Sequence, residues 1–139
     1  MRASAGKAQP GKPKFLVVDD DPGFRDLLSL QLRREFIVWP AADGLQAHAK
    51  ARQAAPDAMV LDLKMPGWDG FQTLRAFRES DELRHIPILM LTGDASRETV
   101  TRAIEAGVDD YVLKEGHCGI ELARRIRRLL ARTQLVETR

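Results

Sequence analysis

Ala58-Met59-Val60-Leu61-Asp62 is an apolar run that ends on a carboxylate, and Leu63-Lys64-Met65-Pro66-Gly67-Trp68-Asp69-Gly70 follows it as a loop rich in turn residues. A short apolar run between turn signals is typical of a strand buried on both faces of a parallel sheet. Ligands of open α/β sheets bind at the carboxyl ends of the strands. Asp62 is therefore the first candidate functional residue.

Four more apolar runs are predicted to be strands. Between the runs, apolar residues recur at the spacing of an α-helix. The predicted strands lie at residues 14–18, 36–39, 87–91 and 111–113. The predicted apolar helix faces are Phe24, Leu27, Leu28 and Leu32; Phe71, Leu74 and Phe77; Val100, Ala103 and Ile104; and Leu122, Ile126, Leu129 and Leu130. In the second helix, Leu45, His48, Ala49 and Arg52 are predicted to share a face. This alternation predicts an α/β fold, a doubly wound five-stranded parallel sheet with five helices on its two faces.

Three residues are expected to mark the ends of helices and strands. Asp21 is expected to cap the first helix ahead of Pro22. Pro40 is expected to stop the second strand, and Gly107 to stop the fourth helix.

The composition is that of a single globular domain. The 139 residues are 44% hydrophobic and 30% charged, and no apolar run approaches the ~20 residues of a membrane helix. Residues 1–13 are expected to be a disordered lead, 14–132 the domain, and 133–139 a tail. A single cysteine, Cys118, excludes an internal disulfide and favours the reducing cytoplasm.

Four predicted strands end on chemically distinctive polar residues: Asp19-Asp20, Asp62, Thr92 and Lys114. All carboxyl ends of a parallel sheet lie at one edge, so these side chains are expected to converge. Three crowded carboxylates favour a hard cation such as Mg²⁺, which prefers oxygen ligands. Aspartate forms aspartyl-phosphates, while a hydroxyl and an ammonium bind phosphoryl oxygens. The set predicts phosphoryl transfer to an aspartate.

Four segments resemble the receiver domain of two-component response regulators, and the resemblance spans residues 14 to about 132. The segments are Phe15-Leu16-Val17-Val18-Asp19-Asp20-Asp21-Pro22, Leu61-Asp62 with Met65-Pro66-Gly67-Trp68-Asp69-Gly70, Leu91-Thr92-Gly93, and Tyr111-Val112-Leu113-Lys114. In that family they are the acidic pair, the phosphoacceptor strand with its loop, and two switch-strand ends. The resemblance implies a flavodoxin-like sheet of order 2-1-3-4-5.

The resemblance also implies a metal site and a phosphoacceptor. Asp62 would take a phosphoryl group from a histidine kinase or a histidine phosphotransfer protein. Asp20, Asp62 and the backbone carbonyl of Lys64 would bind Mg²⁺ (or Mn²⁺) directly, and Asp19 would bind it through water. Lys114 and Thr92 would hold the phosphoryl oxygens.

Switching and tuning residues are implied in the same way. Thr92 and Tyr111 would carry the signal to the face formed by the fourth helix, fifth strand and fifth helix, where a downstream protein binds. Lys64 and Asp94 lie two residues beyond Asp62 and Thr92, where the family tunes phosphoryl lifetime. We expect them to approach one another across the mouth of the pocket and to restrict water attack.

One departure from the family pattern concerns the residue after Lys114. The family usually has proline there, often in a cis peptide, whereas this chain has Glu115-Gly116. A non-proline cis bond costs about 3–4 kcal/mol, so we predict a trans bond at Lys114–Glu115. We also predict an altered loop and a fifth helix that starts near Gly119.

The preferred interpretation is a Mg²⁺-dependent signalling switch, not an enzyme. It would phosphorylate itself from small donors, lose the phosphoryl group slowly, and be a monomer or weak dimer. The alternative is a receiver fragment of a larger regulator or hybrid kinase. A haloacid-dehalogenase-like phosphohydrolase would need a second aspartate at position 64, which is Lys64.

A nucleic-acid binder is a third hypothesis, suggested by arginines 124, 125, 127, 128 and 132. The first 14 and last 21 residues each carry +4, so the residues between them carry −6. No aromatic stacking set accompanies the arginines, and the apolar face of their helix must dock on the sheet. Direct nucleic-acid binding is therefore not expected.

Overall fold

The computed structural model describes residues 12–94, 96–114 and 118–137 as five strands alternating with five helices. The elements are β1 Lys14–Val18, α1 Pro22–Leu32, β2 Ile37–Ala41, α2 Gly44–Gln53, β3 Ala58–Asp62, α3 Gly70–Glu79, β4 Ile88–Thr92, α4 Arg97–Glu105, β5 Asp110–Leu113 and α5 Cys118–Glu137. All strand pairs are parallel, in the order β2-β1-β3-β4-β5. The predicted fold class and strand order are confirmed.

The core lies on both faces of the sheet because alternate residues of each central strand point to opposite sides. On one face, Leu16, Met59 and Met90 belong to a cluster that includes residues of α2, α3 and α4. On the other face, Phe15, Val60 and further strand residues pack with residues of α1 and α5. β3 and β4 are both buried along their whole length, so the site residues at their ends are held by fully enclosed strands.

Helix ends follow the predicted local chemistry at two points. Asp21 caps α1, where its carboxylate accepts a hydrogen bond from the Gly23 amide at 3.0 Å, and Pro22 is the first helical residue. Gly107 has φ of +100° and follows the last turn of α4, a left-handed conformation that glycine adopts without strain.

Sequence expectations about one strand end and about several helix faces are wrong. Leu27 and Ile104, predicted on the apolar faces of α1 and α4, are 50% and 63% exposed. Pro40 does not stop β2, which runs to Ala41; β2 is an edge strand, where the missing N–H of proline removes no ladder bond on the open side. The buried face of α2 is Gly44, Ala47 and Ala51, not the face of Leu45, which is 61% exposed. Small residues allow α2 to approach the sheet closely, and a hydropathy pattern undervalues alanine.

Some predictions fall at or beyond the ends of the described residues. The peptide bond at Lys114–Glu115 and nearly all of the predicted lead lie outside them. The described α5 begins at Cys118, one residue from the expected start near Gly119, and its backbone is helical to Glu137. Among the described residues, no helix combines the length and the apolar character needed to cross a bilayer.

Candidate functional site

Strand order brings the predicted site residues to one edge of the sheet. Asp19 directly follows β1, Asp62 and Thr92 end β3 and β4, and Lys114 directly follows β5. Asp19, Asp62 and Thr92 are all at least 94% buried, whereas Asp20 is exposed. One carboxylate oxygen from each of Asp19, Asp20 and Asp62 lies within 4.8 Å of the other two.

Asp19 is held in place by the start of α1. Its Oδ1 accepts a hydrogen bond from the backbone amide of Asp21 at 2.9 Å, and the Arg25 guanidinium donates to its backbone carbonyl at 2.7 Å. Its Oδ2 is fully buried and accepts no hydrogen bond of good geometry, although the Lys114 ammonium lies 2.9 Å away. Ion pairing with Lys114 therefore offsets part of the charge of this oxygen.

Lys114 links three of the strand ends. Its backbone amide donates to the carbonyl of Thr92 at 2.8 Å, which continues the β4–β5 pairing past the end of β5. Its ammonium lies 2.9 Å from Asp19 Oδ2 and 3.4 Å from Asp62 Oδ2. Burial alone would lower the pKa of Lys114, but hydrogen bonding and attraction to the two carboxylates outweigh burial and raise that pKa.

Asp62 is a carboxyl group in an unfavourable place for a charge. Burial, and secondly the neighbouring charge of Asp19, raise its pKa to about 6, even though the Lys114 ammonium acts in the opposite direction. Added positive charge would relieve this repulsion. Three neighbouring carboxylates, one of which has a buried oxygen that makes an ion pair but no well-formed hydrogen bond, therefore fit a hard divalent cation such as Mg²⁺, which takes oxygen ligands and retains several waters.

The loop after Asp62 is closed by its own backbone. The amide of Gly70 donates to the carbonyl of Leu63 at 2.7 Å, and Asp69 caps α3 in a reciprocal pair with Gln72. A Cβ at position 70 would lie 2.7 Å from the carbonyl oxygen of Asp62, so this close approach requires glycine. The loop that carries the Lys64 carbonyl is thus fixed at both ends, and the role of that carbonyl stays a prediction.

Thr92 and Tyr111, the two predicted switch residues, contact opposite sides of the same residue. The Thr92 hydroxyl oxygen accepts a hydrogen bond from the amide of Asp94 at 3.2 Å. The Tyr111 hydroxyl donates to the carbonyl of Asp94 and is directed inward from β5. Burial, followed by the negative charge of Asp94, raises the pKa of Tyr111.

Lys64 and Asp94 line the same groove, a cavity of about 550 Å³ beside the acidic pocket. The Asp94 carboxylate accepts hydrogen bonds from the Ser96 amide and the Thr99 hydroxyl, both at 2.9 Å. Those hydrogen bonds, the one from the Ser96 amide above all, lower the pKa of Asp94, and the charge of Lys64 adds a smaller effect in the same direction. Asp94 thus supports the start of α4, whose N-cap is Ser96, as well as lining the groove, and its role in tuning stays a prediction.

Two residues at the site were not singled out from the sequence. Phe24 places its ring centroid 4.4 Å from the Lys114 ammonium, and Arg25 holds the backbone of Asp19. Phe24 belonged to a predicted apolar helix face, and nothing in its local pattern distinguishes a core residue from one that faces a pocket. The spacing of Arg25, within the first turn and a half after the acidic pair, was the one available signal.

Comparison with known proteins agrees with this geometry. The family model for the response regulator receiver domain matches residues 15–127. The DNA-binding dual master transcriptional regulator RpaA of Synechocystis sp. is 36% identical over 125 residues, which are 89% of this chain and 52% of RpaA. The chain thus spans about half the length of that relative.

Solved structures with similar folds include two of particular interest. The chemotaxis protein CheY4 of Vibrio cholerae is 32% identical with a TM-score of 0.80, over 85% of this chain and 98% of CheY4. The receiver domain of the sensor histidine kinase PA1611 from Pseudomonas aeruginosa is 30% identical with a TM-score of 0.79, over 86% of this chain and 98% of that domain. The PA1611 structure has a magnesium ion coordinated in its active-site cleft.

Proposed function

The chain belongs to the response regulator receiver domain family of two-component signalling, and on this premise we propose that it is a phosphoacceptor switch in which Asp62 takes a phosphoryl group. The observation that carries the proposal is the pair of buried carboxylates, Asp19 and Asp62, with the half-buried Lys114 between them and the exposed Asp20 beside them. The donor would be a phosphohistidine of a histidine kinase or phosphotransfer protein, or a small acyl phosphate.

The transfer is a displacement at phosphorus. A carboxylate oxygen of Asp62 attacks the phosphorus as the P–N bond of the phosphohistidine breaks, and the bonding electron pair leaves with the imidazole nitrogen. Catalysis of such a loose transfer depends on positioning and charge neutralisation. The Lys114 ammonium, already 3.4 Å from Asp62 Oδ2, and the buried Thr92 hydroxyl would hold the transferred oxygens.

Mg²⁺ would be held by Asp20, Asp62 and the Lys64 carbonyl, with Asp19 acting through water, and would neutralise charge on the phosphoryl oxygens. Mn²⁺ has the same preference for oxygen ligands. Asp19 supports this assignment because its Oδ2 is buried with no hydrogen bond of good geometry.

The hydrogen bonds of Asp94 supply a route for the signal. Thr92 accepts from the amide of Asp94, and Tyr111 donates to its carbonyl. If the Thr92 hydroxyl turns toward a phosphoryl oxygen, the Asp94 amide loses its partner and the segment that holds Tyr111 and the start of α4 is released. The output surface would then be α4, β5 and α5, where a downstream protein binds.

We further propose that this chain recognises proteins rather than nucleic acid, although RpaA is named as a DNA-binding regulator. Arg125 of α5 is paired with Asp110 and Glu121 at 2.7 and 2.8 Å, and Arg127 is paired with Glu35. Paired arginines are less available to phosphates. Retention of the chain on duplex DNA at physiological salt would contradict this proposal.

Phosphorylation by acetyl phosphate and Mg²⁺, followed by intact-mass measurement, tests the central proposal. The wild type should gain the mass of one phosphoryl group and Asp62→Asn should gain none. Lys114→Ala is the second variant, which should bind Mg²⁺ but be phosphorylated more slowly. An Asp62→Asn protein that is phosphorylated at the wild-type rate would refute the role of Asp62.

Two other functions make different predictions in the same assay. A phosphohydrolase would turn over a generic phosphate ester many times, whereas a receiver is limited by its slow dephosphorylation. A receiver within a larger regulator or hybrid kinase has the same site chemistry and differs in what the switch controls. Lys64→Ala should alter the dephosphorylation rate if that residue restricts water attack at Asp62.

A further inference from the structure

Phe24 gives Lys114 an uncharged partner on the side of α1. The centroid of its ring lies 4.4 Å from the Lys114 ammonium, within the range of a cation–π interaction. The ammonium also lies 2.9 Å from Asp19 Oδ2 and 3.4 Å from Asp62 Oδ2. The lysine head group therefore lies against a ring and two carboxylates.

The position of the ring is fixed by the first turn of α1. Asp21 caps this helix through the Gly23 amide, and Arg25, next to Phe24, donates to the carbonyl of Asp19 at 2.7 Å. The helix start is thereby attached to the same strand end that carries Asp19. The ring is half-buried there and packs against the core cluster that includes residues of α1 and α5, as well as contacting the ammonium.

The ring and the carboxylates respond differently to charge. A carboxylate that binds a cation attracts an ammonium less strongly, because the cation offsets its negative charge. The quadrupole of a phenyl ring does not change when a cation binds to the carboxylates. Phe24 is thus a partner whose attraction for Lys114 persists when a cation is bound by the acidic residues.

We propose that Phe24 is a positioning residue for phosphoryl transfer, holding the Lys114 ammonium at the pocket while a bound divalent cation offsets the charge of Asp19 and Asp62, before the phosphoryl group arrives; this rests on the function proposed above. The flexible four-carbon side chain of lysine otherwise has many conformations that lead away from Asp62. The ring reduces that freedom without contributing a charge that would compete for the phosphoryl group.

The first test needs neither metal nor phosphate. In the metal-free protein, NMR signals of the Lys114 side-chain methylene protons, assigned with Lys114→Arg, should be shifted upfield by the ring current. The shift should disappear in Phe24→Leu and persist in Phe24→Tyr. An unchanged Lys114 shift in Phe24→Leu would overturn the contact and the proposal with it.

The second test is kinetic and uses acetyl phosphate at saturating Mg²⁺. Phe24→Leu should lower the phosphorylation rate constant by about three- to tenfold, the range of a cation–π interaction. Phe24→Tyr should stay within about twofold of the wild type, as should Leu27→Ala, a half-exposed position on the same helix. The Mg²⁺ dissociation constant from Trp68 fluorescence should move by less than about twofold in every variant.

The outcomes separate this proposal from the proposed function. A wild-type rate in Phe24→Leu, or an equal loss in Phe24→Tyr, would overturn the role of Phe24 while Asp62 phosphorylation stands. Failure of the wild type to be phosphorylated on Asp62 would overturn both, and the NMR result would still establish whether the ring holds the ammonium. Urea midpoints of the variants separate a loss of positioning from a loss of folding.

Discussion

Arg78 joins three segments through hydrogen bonds, and its replacement by alanine should be among the most damaging changes outside the hydrophobic core. It lies in the last turn of α3. Its guanidinium donates to the carbonyls of Gly107 at 2.9 Å and of Arg84 and Ile86 at 2.8 Å. It also pairs with the Asp109 carboxylate at 2.9 Å. These contacts connect α3 with the segments that precede β4 and β5.

The size of the loss follows from the number of contacts and their exposure. A hydrogen bond to a charged group contributes about 1.5–3 kcal/mol, but carbonyls that regain water recover part of it. The side chains of Arg78 and Asp109 are 21% and 32% exposed, which reduces the ion-pair share further. We therefore expect Arg78→Ala to lower the free energy of unfolding by about 3 kcal/mol, or roughly 10 °C in Tm.

Arg78→Lys separates charge from geometry. Lysine keeps the positive charge but lacks the planar fork that reaches several acceptors at once. It should recover only a minor part of the loss and remain about 2 kcal/mol below the wild type. Full recovery by lysine would mean that charge alone matters at this position.

Urea unfolding followed by circular dichroism provides the measurement, with an unchanged slope m as the sign of an unaltered two-state transition. Arg84→Ala is the control, because its pair with Asp81 is 64% and 92% exposed and should contribute under about 0.5 kcal/mol. An Arg78→Ala protein within about 0.5 kcal/mol of the wild type would refute the reasoning.

Three further predictions concern the site and its surroundings. Gly70→Ala should lower the free energy of unfolding by about 2 kcal/mol and slow phosphorylation, because its Cβ would lie 2.7 Å from the Asp62 carbonyl oxygen. Gly93→Ala is the control in urea unfolding, because a Cβ at position 93 would have nothing within 4 Å. Equal stabilities of the two variants would contradict the prediction. Tyr111 is the sole tyrosine, so its absorbance near 295 nm should titrate with a pKa above the ordinary value of about 10. The free energy of unfolding should fall as the pH rises above about 10, because the unfolded chain then loses the tyrosine proton first. A titration midpoint at or below about 10 would contradict the inward position of Tyr111. His48 packs edge-to-face between Trp68 and Phe77, and burial, with a smaller effect of Arg52, lowers its pKa. The free energy of unfolding should therefore fall as the pH drops below about 6.5, and it should fall less in His48→Gln. Urea unfolding at pH 7 and pH 5 measures this difference. Identical pH dependence in the two proteins would exclude His48 as the cause.

The fold was predictable because its signals are local. β3 and β4 are continuous apolar runs, and the ends of α1 and α4 carry Asp21 and Gly107, whose cap chemistry acts within a few residues. The predictions of which helix residues are buried were wrong where tertiary packing determines burial. The burial of Ala47 and the exposure of Leu45 depend on how closely α2 approaches its neighbours, which periodicity does not encode.

The candidate site was predictable to a similar extent and for a similar reason. Strand ends in a parallel sheet share an edge, so the proximity of Asp62 and Lys114 follows from topology once the strands are recognised. The contact of Phe24 with Lys114 joins residues 90 positions apart, and depends on the rotation of α1 about its axis. The four contacts of Arg78 likewise need three segments to be in place first.

The elevated pKa of Asp62 has a consequence for how such a protein evolves. An acid whose pKa rises to about 6 on folding favours the folded state only at low pH, and that advantage is lost as the pH rises through 6. At neutral pH the folded protein must therefore bury the charged carboxylate of Asp62, whereas an asparagine of the same shape would be uncharged. Selection for stability alone would favour the asparagine here, so the presence of this carboxylate is a cost in stability that the proposed phosphoacceptor role would explain.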